Sequence, residues 1–310
     1  MMADLADQRR RPVWLWPGLS LGVVAAGALL DWRLGAVLAL WLGAWWLNTL
    51  LAARMTRAGI LVPVIFGLTL LALWEVTVRL YGVSPIILPA PSEILAQFVV
   101  STDVLWADFV QTMLKGALAG YVIGCGAAFL VALAVDRSLF LQRGVLPVGN
   151  FIAALPIVGT APIMVMWFGF DWQSKAAVVV AMVFFPMLVN TLQGLKASDV
   201  MQRDLMHTYA ASYWQGLFKL RLPNALPFVF NGLKICTTLA LIGAIVAEFF
   251  GSPTVGMGFR IKIEVGRLAM DMVWASIFVA ALAGTGFYGL MALIERWLTF
   301  WHPSQRRGRG

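Results

Sequence analysis

Several stretches of this chain run almost without charge for about 20 residues, the length a helix needs to cross the hydrocarbon core of a bilayer. The runs are continuous rather than alternating, which selects helices over the strands of a membrane barrel. Of 310 residues, 61% are hydrophobic and 12% charged, about half the charge of a soluble domain. The sequence therefore predicts an all-α fold, a polytopic transmembrane helical bundle of about eight spans. The expected spans are Trp14–Leu30, Leu34–Leu51, Ile60–Leu80, Phe109–Val135, Val145–Phe168, Ala176–Leu195, Ala225–Phe250 and Met272–Leu298.

Basic residues in connecting segments favour the cytoplasmic side. With both termini placed there, Arg9, Arg10, Arg11, Arg54, Arg57, Arg137, Arg143, Lys196, Arg203, Lys219, Arg221, Arg296, Arg306, Arg307 and Arg309 fall inside. Arg33, Arg79, Lys115, Lys175, Arg260, Lys262 and Arg267 fall at the outer ends, and Lys234 lies within a span. The net charge of +8 then reads as a solvated face near anionic lipid headgroups, not as a nucleic-acid surface.

Residues 1–58 form an accessory segment, read as a transmembrane hairpin; cleavage of the first run as a signal peptide, near Ala26, is the alternative. Residues 59–302 are the transmembrane core, with a loop at 196–224, and residues 303–310 are a basic cytoplasmic tail. Cys125 and Cys236 each lie in a span and suit buried, apolar roles. Between spans, Pro85, Pro89 and Pro91 forbid a continuous helix, and Ser92 offers an N-cap for a short amphipathic helix, Glu93–Val100.

Gly116, Gly120 and Gly124 recur every fourth residue and mark a helix-packing face. Pro156 and Pro162 sit inside one expected span and free backbone carbonyls; lining of a pathway and a simple kink both fit. Glu75, Lys115, Lys234 and Glu248 are ionisable and intramembrane. Snorkelling suits the lysines, whereas Glu248 reaches less far and faces a cavity, a cation or an outer gate. Asn190 and Asn231 flank the loop, where hydrogen bonding between helices suits them better than substrate contact. There is no phosphate-binding G-x-x-x-x-G-K-[ST], no metal-ligand spacing and no paired nucleophile and base. His207 and His302 are read as surface residues.

The loop carries the polar run "HTYAASYWQGLFKLRLPNALP", His207–Pro227. Leu205, Tyr209, Tyr213, Leu217 and Leu220 recur at three- and four-residue steps, one apolar face of an amphipathic helix. Pro223 and Pro227 are expected to end it and begin the next span. Such a helix lies on a lipid surface or docks in a groove of a cytosolic partner.

This stretch resembles the cytoplasmic loop of ABC importer permeases, whose signature is E-A-A, three residues, Gly, nine residues, then I-x-L-P. Aligned on Leu222-Pro223, Asp204-Leu205-Met206 falls on E-A-A, Ala210 on the glycine and Leu220 on the isoleucine. The resemblance tightens in the nitrate, sulfonate and taurine branch, which includes pyrimidine- and riboflavin-type members. "AASYWQ" (Ala210–Gln215) matches its "GAS-x-WQ", and "LPAPSEIL" its "LPSP". "LPIVGTAPIMVMWFGFDWQSK", "FFPMLVNTLQGLK", "VAEFFG…VGMGF" and "LIERWLTFWHP" also look like the branch. The likeness covers roughly residues 60–302; the first 58 residues are additional to the usual six-span pattern. Ala210 departs from the glycine, so either the turn takes another geometry or the helix runs on.

The resemblance implies a transport subunit, not an enzyme, in a bacterial cell (inner) membrane. It would pair with a second permease copy as a homodimer. Two cytoplasmic ABC ATPases would carry ATP and Mg, with no cofactor in this chain. A periplasmic or lipid-anchored binding protein would deliver the substrate. Asp204, Leu205, Tyr209, Ala210, Ala211, Ser212, Tyr213, Trp214, Gln215, Leu222 and Pro223 form the implied ATPase-coupling loop. Tyr209, Ala211, Ser212, Tyr213 and Trp214 are its expected contacts. Pro156, Pro162, Trp167, Asn190, Asn231 and Glu248 are candidates for the translocation path. A path without clustered basic residues, and with Trp167 and Phe168, favours a neutral heteroaromatic over an inorganic anion. A self-sufficient secondary transporter is the alternative, to be recognised by inverted repeats and a midplane carboxylate.

Overall fold

The structure is a computed structural model that describes residues 15–54, 61–153, 155–251 and 254–301. The basic N-terminal arginines and the tail at 303–310 lie outside the described residues. The described residues are mostly helical, with no strand among them. The chain forms two compact units, Met1–Gln97 and Phe98–Gly310.

In the first unit, α1 (Leu15–Leu30) and α2 (Trp32–Arg54) form a hairpin. Asp31 makes the turn: it leaves the helix, and its carboxylate accepts from the amide of Arg33 at 2.8 Å. α3 (Leu61–Tyr81) follows, then α4 (Pro91–Val100). α4 begins earlier than its sequence suggests. Pro91 occupies the first helical position, where its missing amide is no loss. Glu93 reaches back to accept from the amide of Ala90 at 2.9 Å. The Ser92 hydroxyl, expected to cap, instead donates to Glu75 of α3 at 2.8 Å, and Glu75 also pairs with Arg79.

The second unit contains α5 (Thr102–Arg137), α6 (Leu139–Ala153), α7 (Ile157–Phe168), α8 (Trp172–Lys196), α9 (Val200–Thr208), α10 (Tyr213–Gly251), α11 (Met257–Gly266) and α12 (Met270–Leu298). Helices α3, α5, α8, α10 and α12 are long and apolar enough to cross a membrane. The span expected at Val145–Phe168 is instead two helices. Pro156 restricts Leu155 before it to extended backbone and has no amide to continue the α6 ladder; with an extended ψ of 112° it stands at the N-cap of α7. The 12 residues of α7 are too few for a core about 30 Å thick.

The centre of this unit is α8, packed between α5 and α10. Lipid offers no hydrophobic drive between helices, so small residues that let backbones approach determine the seam. A Cβ on Gly120 would lie 2.5 Å from Val179 Cβ, and one on Gly124 would lie 2.5 Å from Val183 Cγ2. Gly116 faces Lys175 Cβ more loosely, at 3.3 Å. From the other side, Gly232 meets Asn190 and Gly243 meets Met182. Ala128, Val179, Val183, Leu188, Leu195, Leu217, Ala225, Ala240 and Ala244 fill the core between them.

Candidate functional site

The polar stretch that breaks the apolar pattern lies where α5 and α8 end and α10 begins. It is not one amphipathic helix. Asp199 caps α9, accepting from the amide of Met201 at 3.2 Å, and α9 stops at Thr208. Ala210 then takes φ +51°. Its amide donates to the His207 carbonyl at 2.9 Å, and the amide of Ala211 donates to that of Met206 at 3.0 Å. This pair of bonds around a left-handed residue is a Schellman ending. Alanine thus adopts the conformation that the glycine of the family pattern reaches without strain.

Ser212 starts the next helix through a capping box. Its hydroxyl accepts from the amide of Gln215 at 3.4 Å, and the Gln215 side chain accepts from the Ser212 amide at 2.8 Å. From Tyr213 the chain runs unbroken to Gly251, through Pro223 and Pro227, which were expected to end the first helix. A π turn at Leu217–Arg221 precedes Pro223. There the amide of Leu222 donates to the carbonyl of Leu217, five residues back.

The turn presents an aromatic platform. Trp214 stacks on Phe218, with centroids 6.0 Å apart, and meets Tyr213 edge-on at 5.4 Å. Tyr209, Trp214 and Phe218 are 77%, 52% and 61% exposed. Leu205 is also exposed, as is Asp204, and Ala211, Leu222 and Pro223 are half-buried. The platform is braced from α5. The Arg137 guanidinium lies over the Tyr213 ring at 5.5 Å and the Trp214 ring at 5.7 Å. The Tyr213 hydroxyl donates to Asp136 Oδ2 at 3.0 Å. Arg221 grips the same carboxylate through Nη1 at 2.8 Å and Nη2 at 2.5 Å. No pattern along the chain links Asp136 and Arg137 to Tyr213, Trp214 and Arg221, since the two groups lie far apart in sequence; only the fold brings them to one point.

The residues considered for a pathway do not form one cluster. Pro156 and Trp167 are exposed at the two ends of α7, and Pro162 is half-buried within it. Asn231 donates to Asn190 at 3.1 Å, a direct link between α10 and α8. Glu248 is 1% exposed, enclosed at the far end of the unit. Its carboxylate accepts from the Thr112 hydroxyl at 2.9 Å and from the Gly258 amide at 2.8 Å. Beside it, Asp108 accepts from the Gly256 amide and from Arg260, both at 2.8 Å. The Lys175 ammonium, placed at an outer end on sequence grounds, is buried and donates to the Phe170 and Gly251 carbonyls. Lys234 does not snorkel; it pairs with Glu295 of α12 at 2.7 Å.

Residues 120–300 match the model of the binding-protein-dependent transport system inner membrane component. The chain is 33% identical over 249 residues to the formylaminopyrimidine transport permease protein ThiX of Halalkalibacterium halodurans, covering 78% of this chain and 96% of that one. It is 30% identical to the riboflavin transport system permease protein RibX of Chloroflexus aurantiacus, over 76% of this chain and 88% of the other. With the taurine transport system permease protein TauC of Escherichia coli it shares 29% identity over 75% of this chain and 86% of that one. The chain belongs to the family of binding-protein-dependent transport system inner membrane components, the permease subunits of ABC importers.

Proposed function

We propose that this permease pairs with a second copy of itself and docks the Tyr209–Phe218 platform onto a separate cytoplasmic ATPase. ATP and Mg bind on that partner, and ATP-driven closure of the ATPase pair moves the platform. Access to the path between the permeases then alternates between the two sides of the membrane, a two-state equilibrium biased by ligand. A binding protein delivers the substrate from outside. The observation that carries this reading is the platform itself. Large aromatic rings stand exposed on a turn whose backbone is fully capped, the composition of a docking anchor. Both termini lie in the cytoplasm on this reading, together with the loop at 196–224. Residues 1–58 act as an added hairpin, and residues 59–302 as the permease core.

For the substrate we propose a small neutral heteroaromatic of the pyrimidine or flavin kind. The names of the first two relatives above support this class, as does the apolar, aromatic character of α7, with Trp167 and Phe168 exposed.

The deciding experiment is a mild-detergent pull-down of the tagged chain from its native membrane, with mass spectrometry of the partners. A P-loop ATPase at near one-to-one ratio is expected, with recovery falling in Trp214→Ala at unchanged expression. A chain that purifies alone and transports in liposomes without ATP would establish a secondary transporter instead.

A further inference from the structure

The platform reaches α10 through the covalent chain, because Tyr213 opens the same helix that ends at Gly251. It has no such route to α5, which ends 76 residues earlier at Arg137. Two neighbouring residues bridge them: the Arg137 guanidinium stacks over the Tyr213 and Trp214 rings, and the Asp136 carboxylate takes the hydrogen bonds that set orientation. Asp136 Oδ2 accepts from the Tyr213 hydroxyl at 3.0 Å and from Arg221 Nη1 at 2.8 Å, while Oδ1 accepts from Arg221 Nη2 at 2.5 Å. Arg221 spends its remaining direction on the Leu195 carbonyl at the end of α8, through Nε at 3.1 Å. The Asp136 side chain is 3% exposed and that of Arg221 19%, so water competes little for either.

A bidentate guanidinium–carboxylate pair fixes orientation as well as distance. A single hydrogen bond would let the segment pivot about α5; this arrangement does not. The segment's internal order does not depend on it. The Schellman ending at Ala210 and the capping box at Ser212 use only local partners. Removing the carboxylate therefore leaves a folded platform that keeps the non-directional Arg137 stack and loses the hydrogen bonds that orient it on α5. It also leaves the Arg221 charge half-enclosed with only a backbone carbonyl, a condition buried charges tolerate poorly.

We propose that Asp136 is the positioning residue that makes the platform and the end of α5 a single moving body. Displacement of the platform is then delivered to α5, and through the Gly120 and Gly124 seam to α8, instead of being absorbed in the loop. This rests on the coupling role proposed above.

The test is a distance measurement by pulsed electron resonance on the complex purified with its ATPase. Spin labels go at Leu130 of α5 and Lys219 beside the platform, both exposed, with Cys125 and Cys236 replaced by alanine. Labelled chain is diluted with unlabelled chain, so that only distances within one copy are read. One narrow distance is expected, equal in the nucleotide-free and vanadate-trapped states. In Asp136→Asn it is expected to broaden on trapping while the ATPase still co-purifies. The reversed pair, Asp136→Arg with Arg221→Asp, is expected to restore the narrow distance, which a folding defect would not allow. A wild-type distance that changes on trapping overturns the proposal, as does an Asp136→Asn variant that keeps the narrow distance or a folded reversed pair that stays broad. If no ATPase accompanies the unmodified chain, the coupling role itself has failed and this proposal falls with it.

Discussion

The amide of Ala211 donates to the carbonyl of Met206 across 3.0 Å, and that bond closes only because Ala210 between them holds φ +51°. A left-handed conformation costs a residue with a Cβ about 1–2 kcal/mol. The geometry is kept because both amides after α9 find carbonyls there. Ala210→Gly removes the steric cost but adds freedom to the unfolded chain, so the expected gain is about 1 kcal/mol. Ala210→Val, with branching at Cβ, should lose at least as much. Limited proteolysis of the folded protein reads this locally: cleavage between α9 and α10 should slow in the glycine variant and quicken in the valine variant.

At Gly120 the constraint is space. An added Cβ would sit 2.7 Å from the Ala176 carbonyl oxygen as well as against Val179, and backbone cannot move aside as a side-chain tip can. Gly120→Ala is expected to lower stability by about 1–3 kcal/mol. Gly126, on the same helix with nothing near its Cβ position, is the control, and Gly126→Ala should raise or hold the melting temperature in detergent.

The contrast between these two glycines shows what could be read from the chain. Spacing by four singles out Gly116, Gly120 and Gly124, and their face does meet α8. Long apolar runs mark α3, α5, α8, α10 and α12, since the bilayer imposes one length on each helix. Pro156 signals a break, but whether a helix kinks or ends depends on packing around it. The stretch from Asp204 to Pro223 is legible as a motif and illegible as a shape. Its 3.6-residue periodicity describes a continuous helix, whereas Ala210 and the capping box at Ser212 divide it. Nothing in the sequence announces Asp136, because its importance is a meeting of segments remote along the chain. Lys234 reads as a snorkelling residue until Glu295 is placed beside it.

That pair makes a prediction with a sign. Lys234 and Glu295 lie 2.7 Å apart, with side chains 18% and 11% exposed. Lys234→Met leaves the carboxylate in a poorly hydrated seam between α10 and α12. Partial exposure softens the penalty of a buried unpaired charge to on the order of 2 kcal/mol. Replacing both residues, Lys234→Met with Glu295→Gln, removes the orphan as well as the bond and should recover most of the loss. Thermal unfolding of the two single variants and the double variant completes the cycle. A double variant as unstable as the sum of the singles would show that the ion pair does not join the helices.

Thr112 links two elements with one hydroxyl, and the links use it in opposite senses. It donates to Glu248 on α10 at 2.9 Å and accepts from the amide of Met257, at the start of α11, at 2.8 Å. Glu248 in turn accepts from the Gly258 amide, so α5, the end of α10 and the start of α11 share one enclosed network. Thr112→Val keeps the shape of the side chain and deletes the hydroxyl. It strands the Met257 amide and removes one donor from a buried carboxylate, at an expected cost of about 1–3 kcal/mol for each group left unsatisfied. Thr112→Ser keeps the hydroxyl, loses one methyl, and should cost about 1 kcal/mol. Amide exchange at Met257 and Gly258 separates the two cases. It should accelerate strongly in Thr112→Val and little in Thr112→Ser, while exchange at Ala128, deep in the α5 core, stays slow in both. Equal acceleration in the two variants would mean that packing of the methyl, not the shared hydroxyl, holds the turn between α10 and α11.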